Sequence, residues 1–91
     1  MNIEIVILDN EPPEHVTVKG RPAWAMLQLM TAGERGVTPI DNPGPRWSAY
    51  VFDLRHLGIK IETVRESHGG AFRGTHGRYV LRSNIKLVEG V

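Results

Sequence analysis

Arg46-Trp47-Ser48-Ala49-Tyr50-Val51-Phe52-Asp53-Leu54-Arg55-His56-Leu57 runs directly into Gly58. At about 100° per residue, Trp47, Tyr50, Val51, Leu54 and Gly58 fall within one narrow arc, and Gly58 suits a left-handed stop. The stretch therefore predicts an amphipathic helix over 46–57. Its opposite arc carries Ala49, Phe52, Asp53 and His56, flanked by Ser48, Arg55 and Arg46.

Downstream the period changes from a helix to a strand. Ile59–Glu66 (IKIETVRE) and Arg78–Ser83 (RYVLRS) read as two strands of a β-hairpin, joined by Ser67–Gly77 with four glycines. Asn84–Val91 is a short tail with one candidate strand, Ile85–Val88. Upstream, Thr38-Pro39-Ile40-Asp41 fits a capping pattern, a hydroxyl followed by proline and then a carboxylate three residues on. A helix starting there is limited to about one turn, because Pro43-Gly44-Pro45 follows. Before it, Ala23, Met26, Leu27 and Met30 recur at helical spacing between Pro22 and Gly33, predicting a first helix over about 21–32. The β-branched run Asn2–Leu8 and the short piece His15–Lys19 read as strands separated by Asp9-Asn10 and Pro12-Pro13.

The chain has 91 residues, which is one domain's worth, and at 41% hydrophobic and 23% charged it is neither disordered nor fibrous in composition. It has no cysteine, so disulfides, thiolate metal sites and thiol nucleophiles are excluded together. The longest apolar run, Ile5–Leu8, is far too short to span a membrane, and no basic start precedes it, so a cytoplasmic protein is expected. The net charge of +1 hides a division: residues 1–18 carry Glu4, Asp9, Glu11 and Glu14 without a base, while residues 19–91 hold all 11 bases against six acids, a net +5.

Helix, short strand (the extended Gly36-Val37), short helix, turn, amphipathic helix and hairpin is the order of a winged helix-turn-helix, an α+β fold with three helices and a β-hairpin wing. Here an additional N-terminal strand precedes it. Gly44-Pro45-Arg46-Trp47-Ser48-Ala49-Tyr50, Asp53-Leu54-Arg55, Ile61-Glu62-Thr63 and Gly74–Ser83 (GTHGRYVLRS) moreover resemble a winged-helix domain of short, mostly uncharacterised bacterial and phage proteins. The resemblance covers about Lys19–Ser83. It implies the fold and DNA binding, and brings no catalytic residues with it. The expected organisation is an acidic β extension over 1–18, a winged-helix domain over 19–83 and a tail over 84–91.

Arg46, Ser48, Ala49, Arg55 and His56 on the helix are then candidates for contact with DNA, since Arg and His can read guanine edges, Ser can bond phosphate or base, and Ala can meet a thymine methyl. Arg73, His76 and Arg78 in the Gly-rich wing 67–78 are candidates for the sugar-phosphate track. Gly69–Gly74 imitates a phosphate loop but lacks its lysine and lies between two strands, and His15, His56, His68 and His76 match no zinc spacing. No metal, cofactor, small-molecule substrate or catalytic set is expected, and the protein is not expected to be an enzyme. The expectation is a regulator of transcription or a phage-related factor that binds double-stranded DNA. The alternative is a winged helix that binds another protein without binding DNA, with Phe52 and the acidic N-terminal strand at the contact. The N-terminal strand is expected either to complete the wing sheet or to pair with a second subunit in a homodimer.

Overall fold

The computed structural model describes residues 1–42, 46–68 and 74–90. In chain order its elements are β1 (Asn2–Ile7), β2 (Glu14–Lys19), α1 (Arg21–Ala32), a 3-10 turn (Gly33–Arg35), α2 (Trp47–His56), β3 (Ile61–His68), β4 (Gly74–Leu81) and β5 (Ile85–Gly90). Proline stands in the first turn of α1, and the N–H of Gly33 closes that helix on the Leu29 carbonyl. The apolar arc of α2 is buried as Trp47, Tyr50, Val51 and Leu54. Gly58, at φ +93°, ends that helix and donates its N–H to the Arg55 carbonyl at 3.0 Å.

Two α-helices form among the described residues, where the sequence predicts three. The expected short helix at Thr38 is a single turn. Thr38 Oγ1 accepts from the Asp41 N–H at 2.9 Å, and the Thr38 carbonyl accepts from the Asn42 N–H at 2.8 Å. The cap thus forms without a helix behind it. One hydrogen bond does not offset the cost of nucleation, and Pro43 has no N–H with which to add the next.

Val37, just before that turn, bridges Tyr79 through two backbone hydrogen bonds, Val37 N–H to the Tyr79 carbonyl at 2.9 Å and the reverse at 2.8 Å. It adds a third strand, one residue long, beside the antiparallel β3–β4 hairpin. Gly36 allows this approach. Its φ is +71°, and a Cβ there would lie 2.6 Å from the Tyr79 carbonyl oxygen and 2.9 Å from Val80 Cγ2. The hairpin runs in register from Ile61↔Leu81 to His68↔Gly74, so its strands are displaced toward the tip from the expected 59–66 and 78–83. Glycine at 74 and 77 reads locally as loop, but cross-strand pairing carries the ladder through both. At the root, the Ser83 hydroxyl accepts from the Lys60 N–H at 2.7 Å and ties the ends together.

The remaining strands form a second antiparallel sheet, ordered β2-β1-β5. Its register aligns Ile3 with Val18, Ile5 with Val16 and Leu87, and Ile7 with Ile85. Ile3, Ile5 and Ile7 belong to the same core cluster as Met26, Leu29, Trp47 and Leu54. Residues 1–18 therefore supply part of the core on which the helices rest, and the tail closes that sheet. This corrects two expectations for the N-terminal strand. It joins neither the wing sheet nor a second subunit through its own edge, because β2 and β5 already satisfy its backbone on both sides.

Trp47 is 2% exposed, its indole N–H bonds the Asn42 carbonyl at 2.6 Å, and its ring lies 5.3 Å from Trp24 and 6.3 Å from Tyr79. Trp47→Ala should lower stability by about 3–5 kcal/mol in denaturant unfolding. Leu27→Ala, on a half-buried side chain, should cost less. An unchanged midpoint for Trp47→Ala would show that the buried face of α2 is wrongly assigned.

Candidate nucleic-acid interface

The surface of α2 away from the core presents Ser48, Phe52, Asp53, Arg55 and His56 as exposed residues, with Ala49 half-buried among them. Arg46 is exposed at the N-terminal end, where its carbonyl accepts the Tyr50 N–H at 3.1 Å. Ser48, Phe52 and His56 follow one another at steps of four, so they form a continuous stripe along the helix. Phe52 is 60% exposed, and its ring meets that of His56 at a centroid distance of 4.2 Å.

Arg55 stands beside the stripe and is engaged elsewhere. Its Nε and Nη2 both donate to the Ile61 carbonyl, at 3.1 and 2.6 Å, and Nη2 also donates to Thr63 Oγ1 at 2.9 Å. It is a strut that holds the base of the hairpin on α2. Strand alternation places Arg65 on the hairpin face that carries Thr63, opposite Gly77, and its side chain is exposed. Sequence reasoning passed over Arg65. The signal was the alternation Ile61, Thr63, Arg65, which puts a cation on the face turned toward α2.

His76 and Arg78 lie on the other face of the hairpin, where both meet Glu66. Arg78 Nε donates to Glu66 Oε2 at 2.7 Å, and His76 Nε2 stands 3.1 Å from Glu66 Oε1. Arg78 also donates to the Arg35 carbonyl at 3.0 Å and lies 3.9 Å from the Asp41 carboxylate. The pair thus fastens the hairpin to the 3-10 turn and to the capped turn after it. The Arg78 hydrogen bond holds the Glu66 carboxyl below its usual range, with a further contribution from His76, and Glu66 in turn raises Arg78. Of the candidate site residues, Arg46, Ser48, Ala49, Arg55 and His56 share one helix surface, while His76 and Arg78 form a separate cluster. Arg73 lies outside the described residues.

Acidic residues of the N-terminal segment approach the C-terminal end of α2. Asp9 lies 3.9 Å from Lys60 Nζ, and Glu14 flanks Gly58 at the helix stop. Among the described residues no group of three metal-ligating side chains gathers, and no helix is long and apolar enough to cross a membrane.

A helix, a one-residue third strand, a tight turn, a second helix with an exposed polar face and a hairpin beside it together define a winged-helix architecture. Residues 15–91 match the family model of the winged helix domain, and the chain belongs to that family. No curated protein and no solved structure matches it.

The depressed Glu66 carboxyl gives the hairpin a pH dependence of definite sign. Its pairing stabilises the folded chain fully above the ordinary glutamate range and is lost as pH falls through the depressed value. Glu66→Gln should therefore be less stable than the parent at neutral pH, with the gap narrowing on acidification. Thermal melts at a series of pH values would show this. A gap that stays constant would contradict the assignment.

Proposed function

We propose that this domain binds double-stranded DNA without acting as an enzyme, as a small cytoplasmic regulator of transcription or a phage-related DNA-binding factor. In this reading α2 enters the major groove and the β3–β4 wing lies on the adjacent backbone. The observation that carries it is the exposed stripe of α2 standing beside a hairpin face that presents Arg65, within a chain of winged-helix family. Arg46 at one end of the helix and Arg65 on the wing are suited to phosphates.

A second reading is favoured by one observation, the exposed Phe52 ring, which suits a protein partner. Titration of a random duplex at two salt concentrations separates the two. DNA binding should weaken steeply with salt, and Arg46→Ala and Arg65→Ala should each lower the slope of log K against log salt by about one while leaving sequence preference intact. No binding at low salt would support the protein partner.

The acidic loop beside Lys60 should restrain this binding. Because β1 is part of the core, charge removal tests the point better than deletion. Asp9→Asn combined with Glu11→Gln should raise affinity for random duplex about threefold at low salt, with the gain fading as salt screens it. Weaker binding by the folded double variant would mean that the loop belongs to the binding surface.

A further inference from the structure

The Phe52–His56 pair is the most exposed apolar feature of α2, and among the described residues its rings meet only each other. The two rings touch each other, and His56 Nδ1 lies 2.9 Å from the Phe52 carbonyl oxygen one turn back. A carbonyl oxygen can only accept, so Nδ1 carries the ring proton. In the neutral imidazole Nε2 is then left as an acceptor on the opposite edge. The pair therefore offers a hydrogen-bond acceptor and an aromatic face side by side, held in one geometry by the helix itself.

Of the rest of the stripe, the Ser48 hydroxyl can accept as well as donate. Asp53 is exposed next to Phe52 and, as a carboxylate, can only accept. Arg55, the residue best suited to guanine, has Nε and Nη2 committed to Ile61 and Thr63. The acceptors on either side of Phe52, His56 Nε2 and the Asp53 carboxylate, disfavour the N7 and O6 acceptors of guanine and suit the exocyclic amino groups of adenine and cytosine. The aromatic ring decides between these two. An A·T pair displays in the major groove both an amino group and the thymine C5-methyl, whereas a C·G pair has no methyl group.

We propose that Phe52 and His56 together read an A·T base pair, His56 Nε2 accepting from adenine N6 and the Phe52 ring covering the thymine methyl. This deepens the DNA-binding reading of α2 and rests on it. The exposed ring is thereby a determinant of specificity, and the affinity it supplies depends on one methyl group of the nucleic acid.

The probe is a pool of short duplexes of randomised sequence, enriched on the parent protein and then synthesised with single base replacements. The enriched site should contain an A·T pair at which deoxyuridine in place of thymine lowers affinity about fourfold, the loss expected for one buried methyl group. Replacing the adenine of that pair by 2-aminopurine, which moves the amino group into the minor groove, should cost about two- to tenfold. Phe52→Ala should abolish the sensitivity to deoxyuridine, and His56→Ala the sensitivity to 2-aminopurine, while both keep the parent's melting midpoint because both side chains are exposed. Enrichment of a site whose affinity is indifferent to these replacements, or whose sensitivity survives both substitutions, would overturn the proposal and leave DNA binding by the domain standing. Failure of the pool to bind at low salt would overturn both.

Discussion

The indole of Trp47 is the contact on which the arrangement of the remaining elements depends. It belongs to α2, packs on Trp24 of α1, stacks with Tyr79 of β4 and bonds the Asn42 carbonyl in the turn that precedes its own helix. One side chain thus fixes a helix against its neighbour, its wing and its approach loop. Tyr50, one turn on, extends the cluster, since its hydroxyl accepts from Arg21 Nε at 3.3 Å and the Arg21 guanidinium covers the Trp24 ring at 5.2 Å. In a domain of this size such a cluster provides much of the apolar contact that holds two short helices at a fixed angle.

Around that centre, the charged groups divide into those that hold the fold and those that face outward. Arg55 binds the base of the hairpin, Arg78 and His76 bind Glu66, and Arg82 pairs with Glu62 at 2.7 Å. Arg55 ties the wing to α2, and the other two links cross between the strands of the hairpin, which alone is marginal in water. The net positive charge of the chain body is consequently a poor guide to its binding surface. What remains exposed on α2 is a narrow stripe of mixed character, an aromatic ring among polar groups, with Arg46 at its N-terminal end.

The same division explains how much of the site could be read locally. Ser48, Ala49 and His56 follow from helical periodicity alone, and the helix forms where the apolar arc predicts. Arg55 looks equally available in the sequence, yet its guanidinium reaches across to Ile61 and Thr63, a contact that exists only once β3 has folded back beside the helix. Arg78 and Glu66 are 12 residues apart and meet because the hairpin register places them near one another. The segment at Thr38 stays a single turn, as its local signals indicate, and so does not count as a third helix. Its cap is a local signal and forms, but the missing donor of Pro43 prevents propagation.

By itself the sequence determined the period of each element, the stops at Gly33 and Gly58, the strand–helix–hairpin order and the buried arc of α2. These depend on side-chain spacing and backbone conformation within about a dozen residues. Only the tertiary structure decided that the N-terminal strand lies in the middle of its own sheet, flanked by β2 and by the last strand of the chain, and that Ile3, Ile5 and Ile7 enter the core of the helices. A strand's two edges are chemically alike, so its own residues cannot say which segments will pair with it. That choice is made by the burial of one apolar face against α1 and α2, and Asp9 of the loop that follows β1 then falls beside Lys60.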